Sequence, residues 1–138
     1  MRYFLLRHSE KISAKFGDES CGPLIKIRPK YAADKGLLEH EKVHVRQWYA
    51  VLGLGLLLCT LLTVLVSPSF WPLFGLAPLL HQLLYKLVRP YRRWCEVRAY
   101  RKQIAVGGDT STEFVVTALV EKYDINLSAK KAKALLFD

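Results

Sequence analysis

Three side chains within five residues have the types and spacing of a metal centre: His40, Glu41 and His44, in the stretch Leu38-Glu39-His40-Glu41-Lys42-Val43-His44. On a helix, residues four apart lie one above the other on one face, so the two imidazoles can converge on a single ion. Glu41 stands about 100° around the helix from His40, within reach of a water on that ion without ligating it. That is the position of a general base. A catalytic zinc ion commonly takes three protein ligands and keeps a fourth position open, so a third donor is required. Glu96 is the expected one. It follows a strongly basic turn, and Ala99 three residues on would let its helix pack closely against the helix that carries the histidines. Pairing of Glu96 with Arg92 or Arg93 at helical spacing is the purely structural alternative. His81, an ionisable residue in an apolar stretch, is a second candidate ligand, although a single histidine beside Gln82 more often serves as a neutral helix contact. In this arrangement Zn2+ would bring the pKa of its water towards ~7 and Glu41 would take the proton. Tyr100, one turn past Glu96, or Tyr123 would then offer a hydroxyl to the developing oxyanion.

These groups need two helices to hold them, and the chain predicts both. Asp34 is placed to cap a helix that starts near Lys35 and meets no breaker until Ser67-Pro68, with Gly53 and Gly55 weakening its middle. Pro90 suits the first turn of a later helix that runs past Glu96 and stops at Gly107-Gly108. Before the first helix, residues 2–7 read as a short strand, 9–22 as a polar loop, and Leu24 to Arg28 as an edge strand ending at Pro29. Such an edge, beside a metal, could hold an extended peptide through its main chain. After the second helix, Asp109 or Ser111 is expected to cap a helix through Tyr123, and Ser128 a final basic one from Ala129 to Phe137.

Between the two metal-bearing helices the chain changes character. No Asp, Glu, Lys or Arg occurs from Gln47 to Tyr85, which leaves 10 of the 21 basic residues before this block and 11 after it. Ala50 to Val66 is almost wholly apolar and sits at the lower limit of length for a membrane span, with Trp48 and Tyr49 at its foot. A turn at 67–72 leads into a second apolar arm, Leu73 to Val88, interrupted by Gly75, Pro78, His81 and Gln82. The two arms predict a hydrophobic helical hairpin over 50–88. Its basic flanks and uncharged turn place both termini and the metal site in the cytoplasm under the positive-inside rule. A buried hairpin in a soluble protein is the competing reading.

At 138 residues and 51% hydrophobic content the chain fits a single domain with an ample core. The net charge of +9 is spread over both ends without a nucleic-acid motif, so no specific nucleic-acid partner is expected. Cys21, Cys59 and Cys95 are odd in number and contain no C-x-x-C pair, which argues against a disulfide framework and for a reducing compartment. The short apolar run at the N-terminus, without a small-residue cleavage site, predicts no signal peptide.

The two motifs together resemble the gluzincins, metallopeptidases in which H-E-x-x-H on one helix is completed by a glutamate on a later one. His40, Glu41 and His44 match the first motif and Glu96-Val97-Arg98-Ala99 the second. The arrangement is similar to the membrane-embedded branch, the CAAX prenyl proteases and the bacterial heat-shock membrane proteases, where hydrophobic spans separate the motifs. The stretch from His40 to Gln47-Trp48 also resembles small zincin-like domains of phage and contractile-injection particles. The resemblance covers about residues 37–103. It departs from the membrane branch at Tyr100, where those proteases carry an aspartate that supports a histidine, and in the absence of their other spans. It implies an α+β, mainly α fold: a minimal zincin-like core with the hairpin inserted between two metal-binding helices. It further implies a zinc metalloendopeptidase acting on a peptide or protein substrate, with His40, His44 and Glu96 as ligands and Glu41 and Tyr100 as catalytic groups. A non-catalytic zincin-like membrane or phage-particle component, soluble or particle-bound, is the alternative.

Overall fold

The computed structural model describes residues 3–13, 16–107 and 111–137. Three short strands come first: β1 (Leu5–His8), β2 (Asp18–Cys21) and β3 (Leu24–Ile27). They form one sheet in the order β1-β3-β2, with β1 parallel and β2 antiparallel to β3. The strand expected at the edge is therefore the central one. Its alternating pattern carries Ile25 and Ile27 into a small core with Val45 and the flanking Phe4, Leu37 and Leu38, which leaves the outer positions to its two more polar neighbours. The segment expected as a polar loop contains β2, whose Asp-Glu-Ser-Cys sequence has no strand signature of its own. Its pairing is fixed by a two-residue turn in which Gly22 takes φ +58°, a conformation that favours glycine.

A short 3₁₀ turn (Pro29–Tyr31) leads into α1 (Lys35–Leu65), where the Asp34 side chain accepts a hydrogen bond of 2.9 Å from the Leu37 amide. Beyond Ser67 the second apolar arm is not a continuous helix. It returns through 3₁₀ turns at Pro68–Gly75 and Ala77–Leu79 and only then forms the eight-residue α2 (Leu80–Leu87). Pro68, Pro72 and Pro78 lack the amide hydrogens a regular α-helix needs, and the tighter turns accommodate them. The arm lies against α1: the Trp48 indole donates to the Pro78 carbonyl at 2.9 Å, and Gly55 gives Ala77 and Leu80 room for close approach.

α3 (Arg89–Val106) then packs along α1, followed by α4 (Thr112–Glu121), capped by Ser111, and α5 (Ala129–Phe137). The expected Asp109 cap lies outside the described residues. Tyr100 of α3, four residues of α4, Ile125, Leu127 and two residues of α5 make a second core. The fold is α+β and mainly α. The start of α1 lies close against the end of α3: a methyl group on Gly36 would stand 2.6 Å from the carbonyl oxygen of Gly107, the residue after α3. The His40, His44 and Glu96 side chains lie where α1 and α3 face each other.

α1 is long and apolar enough to cross a membrane, and only 11% of its most apolar 18-residue window is buried within the chain. Leu54, Leu57, Val64, Leu65 and, on the return arm, Trp71 and Leu87 are each more than half exposed.

Candidate metal centre

α1 presents His40 and His44 one turn apart, and α3 brings Glu96 opposite them. The His40 and His44 Nε2 atoms lie 3.2 Å apart. Glu96 Oε2 is 3.6 Å from the first and Glu96 Oε1 3.4 Å from the second. All three residues are buried, at 3%, 8% and 1% exposure, and their donor atoms fall within 4.8 Å of one another. They form a group that could hold a metal ion. Ala99 and Cys95, the small residues near Glu96 on α3, are fully buried.

The surroundings set the protonation of the rings. The Gln47 amide nitrogen donates to the Cys95 carbonyl at 3.3 Å, which turns its Oε1 towards His44 Nδ1 at 3.0 Å. A carbonyl oxygen can only accept, so Nδ1 carries the proton and Nε2 keeps its lone pair for the centre. Gln103 hydrogen-bonds the His40 ring. Gln47 thus orients the His44 ring, and Gln103 lies by that of His40. Both were findable from spacing: Gln47 is one turn past His44, and Gln103 lies two turns past Glu96 on the same face of α3.

Glu41 is buried at the wall of the same cavity and hydrogen-bonds Asp18 and Ser20 of β2. Burial pushes the Asp18 carboxyl up to about 6, although its hydrogen bond with Glu41 pulls the other way. Two carboxyls in contact in a buried site share a proton before either pair member is fully ionised. Neither Asp18 nor Ser20 stands out in the sequence, because only the pairing of β2 brings them to α1.

Tyr100 takes a different place from the one its spacing predicted. Its ring packs edge-on against His40 at 4.4 Å, and its hydroxyl lies 3.0 Å from that of Tyr123 rather than on the cavity wall that carries the triad. The hydroxyls that reach Glu96 are those of Tyr85, which donates to Oε1, and Tyr123. Tyr85 also lines the cavity, with its ring 6.1 Å from that of His44. His81 lines the cavity too, but its Nδ1 faces the Tyr91 hydroxyl at 2.8 Å and it stands apart from the His40, His44 and Glu96 group. His8 is exposed on β1, remote from the cavity lining.

Burial pushes the Glu96 carboxyl up to about 7, with the Tyr85 and Tyr123 hydroxyls and the Arg92 charge holding it back. A raised carboxyl keeps its proton as pH falls below that value, and a cation must displace it to bind. Metal affinity is therefore expected to fall as pH drops below about 7, with Glu96 giving up its proton on binding at about pH 6. Calorimetry at about pH 6 in buffers of different ionisation heat checks this, and binding there without proton release would contradict it.

No family model matches the chain, and no curated protein or solved structure does. The fold and the site define a mainly helical α+β protein with a buried His-His-Glu group able to hold a metal ion. The assignment beyond that class rests on the chemistry of the site alone.

Proposed function

We propose that the protein is a zinc-dependent peptidase of gluzincin type. One observation carries the reading. Two imidazole nitrogens and a carboxylate converge in a buried group, His44 Nε2 is held as a lone pair by the Gln47 contact, and Glu96 Oε2 is buried without a hydrogen bond. Such a cluster of acceptors calls for a cation at its centre. The two-nitrogen, one-carboxylate set is the one zinc takes in hydrolytic sites.

Zinc held by His40, His44 and Glu96 would supply Lewis-acid activation of water and of the scissile carbonyl. Glu41, on the cavity wall beside them, takes the proton from the attacking water and returns it to the leaving amine. Asp18 and Ser20 fix the Glu41 carboxyl in that position. Tyr85, on the wall of the same cavity, would offer its hydroxyl to the oxyanion that develops on the carbonyl, the role the sequence suggested for Tyr100 or Tyr123. The cavity, of about 490 Å³, runs along Asp18 to Gly22. β2 has a free outer edge in the β1-β3-β2 order, and an extended peptide can add to it by main-chain hydrogen bonds. The zinc-loaded protein is expected to cleave an unfolded protein substrate, to stop on chelation and to resume on return of zinc. Cleavage that survives complete chelation would overturn the reading.

We further propose that the hairpin over 50–88 inserts into a lipid bilayer. Its two feet lie on one side, because His44 precedes it, Glu96 follows it, and the two meet in one site. The basic flanks fit the cytoplasmic face. Wild-type protein is expected to float with liposomes, and a Leu57→Gln, Leu61→Gln, Leu65→Gln variant to remain in solution. Wild-type protein that stays monodisperse in the aqueous fraction without detergent would contradict insertion.

A further inference from the structure

A second cavity, of about 620 Å³, adjoins the first at the metal group, with Phe16, Asp18, His40 and Tyr123 forming walls of both. It extends away from the hairpin towards the first turn of α1 and the last turn of α3, and its charge differs from that of its neighbour. Among the described residues the first cavity carries Asp18, Glu19, Glu41 and Glu96 against Lys86 as its one lysine or arginine. The second carries Arg28, Lys30, Lys35 and Lys122 against Asp18 and Asp34.

Three of these six charges are already engaged. The Arg28 guanidinium donates to the Phe16 carbonyl at 3.1 Å and the Ile12 carbonyl at 2.9 Å and pairs with Glu10. Asp34 caps α1, and Asp18 bonds Glu41. Lys30, Lys35 and Lys122 remain, and none makes an ion pair among the described residues. The Lys30 and Lys122 ammonium groups rest over the rings of Tyr31 and Phe114, at 4.7 and 4.9 Å, and Lys122 also feels the charge of Asp18.

We infer that this second cavity is the subsite for acidic side chains of a peptide substrate. The inference rests on the peptidase reading and adds a substrate class to it: peptides with glutamate or aspartate on the side of the scissile bond that leads away from the hairpin. A segment crossing the metal group from the first cavity passes directly into the second, where three ammonium groups gain carboxylate partners.

The test uses the full-length, zinc-loaded Glu41→Gln chain in detergent micelles, so that peptides bind without turnover. Three fluorescein-labelled peptides of one length are compared by anisotropy: glutamates in the N-terminal half, glutamates in the C-terminal half, and glutamines in both. One acidic peptide is expected to bind about tenfold tighter than the glutamine peptide at low salt, with the advantage shrinking towards physiological ionic strength and beyond. Combined Lys30→Gln, Lys35→Gln and Lys122→Gln substitution is expected to remove that advantage without changing zinc content or glutamine-peptide affinity. Substitution of Lys130, Lys131 and Lys133 on α5 is expected to leave it intact. Equal affinity for all three peptides overturns the inference, as does a preference that resists salt or is lost equally with the α5 substitutions. Failure of every peptide to bind zinc-loaded protein overturns the peptidase reading as well, so the two failures are told apart.

Discussion

Conversion of Glu41 to glutamine is expected to slow peptide hydrolysis by ~10²–10⁴-fold and to leave the metal content unchanged. The carboxylate is buried on the cavity wall and bonded to Asp18 and Ser20, and it lies outside the group of donor atoms that converge on the centre. Glutamine has the same shape and can keep those contacts, but it cannot take a proton from water. The measurement is turnover of an unfolded protein substrate by variant and wild-type protein matched for zinc. A fully active variant would end the peptidase reading. Loss of zinc along with activity would show that Glu41 acts as a ligand instead. If neither wild type nor variant cleaves while both retain zinc, the metal serves as a staple between α1 and α3, which is the non-catalytic alternative.

The second large effect is expected at Glu96. Its carboxylate is 1% exposed and stands 3.6 and 3.4 Å from the two imidazole nitrogens. An amide is a weaker ligand for zinc and brings no negative charge to offset the ion, so Glu96→Gln is expected to weaken zinc binding by more than the ~10–100-fold that loss of an outer-shell partner costs. The same substitution leaves the apo protein folded. It removes a carboxyl that burial raises to about 7, and the neutral amide can still accept from Tyr85. Competition against a zinc chelator measures the affinity. Unchanged affinity would remove Glu96 from the centre and return attention to His81, which lines the same cavity.

The parts of this molecule that follow from local sequence were readable, and the parts set by pairing across the chain were not. Asp34, Ser111 and Ser128 sit one residue before helices that begin where their caps place them, because an N-cap bonds an amide only two or three residues on. The approach of Glu96 to the histidines was legible from the small Ala99 and the helical phase of α3. β2 was not, because Asp18 to Cys21 is polar and takes strand form only through β3. Asp18 and Ser20 were hidden for the same reason. The returning arm, Leu73 to Val88, was read as interrupted at Gly75 and Pro78, and its α-helix is confined to Leu80–Leu87, beyond that proline. The spacing of Tyr100, one turn past Glu96, does not by itself fix which side of the site its hydroxyl faces. On α3 that position faces His40 and Tyr123, and the cavity wall is supplied by Tyr85 from α2, where no spacing rule links it to either motif.

The central claim is that His40, His44 and Glu96 hold one zinc ion, and diffraction from crystals of zinc-loaded protein at the zinc absorption edge tests it most directly. The account expects a single anomalous peak bonded to both Nε2 atoms at about 2.0–2.1 Å and to a Glu96 oxygen at about 2.0–2.2 Å, with Glu41 outside bonding distance. A peak elsewhere in the protein, or zinc-saturated crystals with none between α1 and α3, would contradict it.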